Sequence, residues 1–115
     1  MVRVSRERFE GHVADALDSL PEDFRRAMDN VSIVVEDRAV GRRLFGLYEG
    51  IPLTQRSGGY GFGIVPDKIT IYQDELSDVA SSEQDLAVRV RRTVLHEVAH
   101  HFGISDPRLE ELGWA

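Results

Sequence analysis

The chain of 115 residues fits one compact domain spanning residues 1–115, and its 42% hydrophobic content is that of an ordinary soluble fold. Fourteen Lys and Arg against twenty Asp and Glu leave a net charge of −6, the wrong sign for a protein that grips phosphate backbones, and no apolar run approaches the ~20 residues needed to cross a bilayer. With no cysteine there is no disulfide, no thiolate metal site and no Cys nucleophile, so any metal must be held by His and carboxylate.

Charges interrupt the segment Met1 to Arg8 before a signal-peptide core can form, so the expectation is a cytoplasmic protein with neither nucleic acid nor membrane as partner. From Ser5, a suitable N-cap, apolar residues recur at Phe9, Val13, Ala16, Leu17 and Leu20 in the rhythm of an amphipathic helix. Pro21 predicts the start of a second helix, with Glu22 and Asp23 at its positive end and Phe24, Ala27 and Met28 on its buried side. The β-branched run Val31 to Glu36 reads as a strand, and Leu44 to Tyr48 as another that Gly50 and Pro52 end. Four glycines between Ser57 and Gly63 predict a loop or irregular edge, and no Gly-Lys-Ser/Thr follows to make it a phosphate loop. Ile64-Val65 and Lys68 to Tyr72 read as strand, with Pro66-Asp67 as the turn between them. A long helix is predicted from Ser81 or Ser82 to Phe102, ended by Gly103, and a last short helix from Pro107 to Leu112.

Inside the long helix lies His96-Glu97-Val98-Ala99-His100, an H-E-x-x-H sequence. One helical turn separates the imidazoles, which puts both on one face within reach of a single Zn²⁺ at ~2.0–2.1 Å. Glu97 is rotated ~100° from His96, so it flanks the metal where a general base for an activated water must stand. Gly103 lets the chain turn and bring Asp106 back as a third ligand, which leaves a fourth position open for water, as in catalytic zinc sites. Chance alone gives an H-E-x-x-H in a chain this long about three times in a thousand. Projected down the axis, Val90, Val94, Leu95, Val98, Ala99 and Phe102 form one apolar arc, with His96, His100 and Thr93 opposite its centre. His96 and His100 are therefore not core histidines. His101 falls inside the border of the arc and reads as a packed or supporting residue, and His12 as a surface or packing residue. Arg91 projects into the arc without an evident reason.

The stretch His96 to Asp106 resembles the extended zinc motif of the zincin-like metallopeptidases, close to metzincins but with Asp in the third-ligand place. With Leu47 to Leu53 and Pro66 to Tyr72, the resemblance extends to a small bacterial family of minimal zincin-like metallopeptidases. It implies an α+β fold: a small mixed β-sheet packed on helices, an active-site helix beneath a substrate cleft, and an edge strand that holds an extended peptide. Metzincins follow their motif with a Met-containing turn, whereas Met1 and Met28 both precede His96, so the floor of this site is expected to be built differently. No His or Tyr follows the motif to stabilise an oxyanion, and Tyr48, Tyr60 and Tyr72 are candidates whose plainer role is packing.

The leading expectation is a zinc metallopeptidase acting on a peptide or protein, with His96, His100 and Asp106 as ligands and Glu97 as general base. The alternatives are a zincin-shaped module that binds metal or peptide without hydrolysis, and a metal-dependent endoribonuclease with His at the same i, i+4 spacing. Glu97, Asp106 and the charge of −6 argue against the last.

Overall fold

The computed structural model describes residues 1–28, 30–51 and 67–112, apart from the side chains of Asp106 and Leu112. The elements are α1 (Arg6–Asp18), α2 (Glu22–Arg26), β1 (Val31–Glu36), β2 (Gly46–Glu49), β3 (Asp67–Tyr72), α3 (Gln73–Val79), α4 (Glu83–His101) and α5 (Asp106–Leu112). The expected glycine loop, the strand Ile64-Val65 and Tyr60 lie outside the described residues.

The two long helices start where their side chains supply a missing acceptor. Ser5 Oγ accepts the backbone N–H of Arg8, and Ser82 Oγ that of Asp85. The carboxylate of Asp85 in turn accepts from Ser81 N at 2.9 Å, so the entry to α4 is held from both directions. At the other end, Gly103 takes φ +70°, Gly103 N donates to His100 O and Ile104 N to Ala99 O. These two bonds form a Schellman cap, which a residue with a Cβ would strain. The second helix is slighter than expected. Pro21 stands at its N-cap, Ala27 is exposed, and Phe24 is half-buried by stacking on Phe102 at a centroid distance of 4.7 Å.

The sheet is mixed, in the order β1-β3-β2. β1 runs parallel to β3, pairing Val31 with Asp67 through Glu36 with Tyr72, and β2 runs antiparallel to it, pairing Gly46 with Ile71 and Tyr48 with Ile69. Ile69 and Ile71 are fully buried and join Phe9, Val13 and Ala16 of α1 and Leu86, Val90, Val94 and Val98 of α4 in one core. Each of these larger side chains contributes on the order of 1.5–3 kcal/mol by leaving water. Helices therefore cover the sheet face bearing Gly46, Tyr48, Ile69 and Ile71, as expected for a small mixed sheet packed on helices. No helix among the described residues is long and apolar enough to cross a membrane.

Three expectations need correction. Asp67 is no turn residue: it is the first residue of β3, its N–H donates to Asn30 O, and it is 4% exposed. β2 begins at Gly46, two residues later than Leu44, and Phe45 before it is exposed. α3 was not anticipated. It is held from outside by arginines, Arg3 to Asp74 and Asp78 and Arg38 to Glu75 and Asp78. Arg6 Nε donates to Gln73 Oε1 at its first residue.

Candidate metal centre

His96, Glu97 and His100 stand together on the C-terminal half of α4, on the side turned toward β2. Each offers one ligand atom, and the three atoms lie within 4.8 Å of one another. The two imidazole centroids are 4.6 Å apart, as one helical turn requires, and both histidines are half-buried. That donor set, two imidazoles and a carboxylate at the mouth of a cleft, suits a divalent metal. The pairing of His96 with His100 expected from their spacing is thus present. Asp106 opens α5, three residues beyond the Gly103 turn, but its side chain lies outside the described residues, as does the expectation that it is a ligand.

Glu97 is the unusual member, because it is only 6% exposed. Burial holds its pKa above the ordinary glutamate value, partly offset by the adjacent His96 and by the backbone N–H of Tyr48, which donates to its carboxylate. Its Oε1 also lies 3.4 Å from His100 Nδ1. A buried carboxylate with a raised pKa is a better base than a solvated one, and a proton acceptor in a cleft needs that basicity.

The close fit of β2 to α4 depends on Gly46. A Cβ there would stand 2.8 Å from Thr93 Cγ2, nearer than real Cβ atoms come without something shifting, and in tight contact with Glu97 Cγ at 3.1 Å. Two positions on, Tyr48 reaches the helix with both its main chain and its ring. Its hydroxyl donates to Asp67 Oδ2 at 2.6 Å, and His101 Nδ1 lies 2.7 Å from the same oxygen. Its ring stands edge-on to His101, at a centroid distance of 5.9 Å. His101 is thus the packed, supporting residue expected, 3% exposed, and its Nε2 is buried with no hydrogen-bond partner among the described residues. Asp67 was missed because the Pro66-Asp67 pair reads as a turn, and no signal in the sequence joins it to His101. The Tyr48 hydroxyl is bound to Asp67, and Tyr72 is buried.

Beside His96 and Glu97 opens a cleft of about 420 Å³, walled by β2, the residues before it and the preceding turn of α4. The two other residues singled out lie elsewhere. His12 Nε2 is 3.0 Å from Glu83 Oε2, and Arg91 is exposed, both lining a second cavity between α1 and α4. The helix has room for Arg91 there without burying it.

No curated protein matches the sequence. Among solved structures, a conserved hypothetical protein from Thermus thermophilus is 29% identical and superposes with a TM-score of 0.59, covering 95% of this chain and 97% of that one. The family description that matches residues 28–114, which include β1 and every later element, is zincin-like metallopeptidase. With the mixed sheet, the His-Glu-His cluster on α4 and that match together, the chain belongs to the zincin-like metallopeptidase family.

Proposed function

We propose that the chain is a zinc-dependent peptidase in which His96, His100 and Asp106 hold the metal and Glu97 is the general base. The observation that carries this reading is Glu97 itself, a carboxylate buried beside two imidazoles with its pKa raised and no ion pair to arginine or lysine among the described residues. When bound, the metal supplies a positive charge that acidifies water and polarises a carbonyl. Glu97 accepts the proton of the attacking water, whose oxygen bonds to the peptide carbonyl carbon, and delivers that proton to the amine as the carbon–nitrogen bond breaks. The N–H of Tyr48 keeps the carboxylate facing the cleft through both transfers.

The test is elemental analysis of the purified chain, prepared without tag or chelator, beside cleavage of a diverse peptide library. The wild type is expected to carry about one zinc per chain and His100→Ala almost none. No metal in either protein after dialysis against zinc would overturn the reading, and zinc without cleavage of any peptide would leave a binding module.

A further inference from the structure

We infer that the cleft beside His96 and Glu97 receives a carboxylate of the substrate, an acidic side chain or a free chain end; this rests on the peptidase reading above and names its substrate class. The walls of the cleft are apolar, formed by Leu44, Phe45, Gly46 and the Thr93 side chain, and its remaining charges are Arg43 and Arg92 against the single carboxylate of Glu97. A molecule carrying a net charge of −6 thus places two arginines among the residues that line one small cleft beside His96 and Glu97.

Of these arginines Arg92 is the one the fold leaves without an ion pair among the described residues, while Arg43 is shared with α3. Arg92 lies one turn before His96 on α4 and is exposed. Arg43 Nε lies 3.5 Å from Glu75 Oε2, but its side chain is 81% exposed and Glu75 is already bound by Arg38. An unpaired arginine on a helix is often mere solvated surface. Here the same helix face carries the candidate ligands, and Arg92 lines with them a cleft whose other walls include Leu44, Phe45 and Gly46. A substrate group with methylenes ending in a carboxylate matches both parts, and guanidinium binds carboxylate with two parallel hydrogen bonds. Four residues at the helical rise per residue, ~6 Å, separate Arg92 from His96 along the axis. The acidic group would therefore lie close in sequence to the bond that is cut.

Two peptide pairs test this on the full chain. One is Ala-Ala-Glu-Ala-Ala and its Gln counterpart, acetylated and amidated; the other is acetylated pentaalanine with a free or an amidated C-terminus. Binding is measured by calorimetry on the metal-free protein, where turnover does not intrude, and cleavage of the same peptides on the zinc-loaded protein. At least one carboxylate peptide is expected to bind about tenfold more tightly than its neutral partner, with the preference falling to twofold or less in Arg92→Gln and shrinking in Arg43→Gln. The pair that shows the preference identifies the source, side chain or chain end. Equal affinities within both pairs, no measurable binding, or a preference that survives in a protein carrying both Arg43→Gln and Arg92→Gln would each overturn the inference. Preference without cleavage would sink the peptidase reading and leave the cleft assignment standing. Cleavage without preference would do the reverse.

Discussion

Glu75 and Glu97 are buried to nearly the same depth, 4% and 6% exposed, yet the protein treats them in opposite ways. Glu75 on α3 accepts from Arg38 at 3.0 Å and has Arg43 at 3.5 Å, so its charge is balanced by arginines fixed in the fold. Glu97 on α4 has a backbone N–H and two imidazoles, and desolvation raises its pKa. A carboxylate taken out of water without a cation destabilises the folded state. The fold carries that penalty at one of its two buried glutamates and not at the other, which marks Glu97 as a group kept for a proton or an external cation.

Glu97→Gln is the sharpest way to break this contrast. Cleavage of a library-selected peptide is expected to fall by about 10²–10⁴-fold, with zinc content unchanged. A rate within threefold of wild type would remove Glu97 from the chemistry. The next effect should come from Gly46→Ala, where the new methyl forces β2 away from α4. Urea unfolding is expected to show a loss of ~1–3 kcal/mol, and unaltered stability would mean that the strand and helix separate freely. Glu75→Gln should then cost ~1–2 kcal/mol in the same measurement through its weakened arginine contacts. A loss of activity there as large as that of Glu97→Gln would erase the distinction between the two residues.

The smallest effect is a dependence of stability on pH. Because the folded pKa of Glu97 is raised, the native state keeps a proton that the unfolded chain has released. The metal-free protein should lose stability as pH rises from the ordinary glutamate range through that raised value. Thermal midpoints of wild type and Glu97→Gln across that window should diverge, with the variant the flatter of the two. Parallel curves would show that burial does not strain Glu97.

Local chemistry explains which features could be seen in the sequence. β1, with its run of β-branched residues, has the expected bounds, and α1 and α4 start at the serines that cap them. The H-E-x-x-H spacing places His96 and His100 together because helical geometry alone fixes that relation. α3 escaped notice because Gln73 to Val79 has few apolar residues and follows β3 directly, with Tyr72 as an N-cap that makes no side-chain hydrogen bond. Its one core residue is Leu76, and its acidic side chains are matched by arginines contributed by distant segments. Asp67, Tyr48 and His101 meet only through the pairing of β2 with β3 and the docking of α4, and the cleft beside Arg92 needs β2 and the residues before it to meet α4. Such long-range relations leave no periodic trace.

The contact between Tyr48 and Glu97 is made by the main chain, and this bears on how the site would respond to genetic dissection. Every amino acid except proline carries that N–H, so an alanine scan would exchange the ring of Tyr48 and leave the donor to Glu97 in place. The strand would register as a packing element only. A backbone ester at residue 48, introduced by chemical ligation, replaces the N–H with an oxygen and would expose what side-chain replacement conceals.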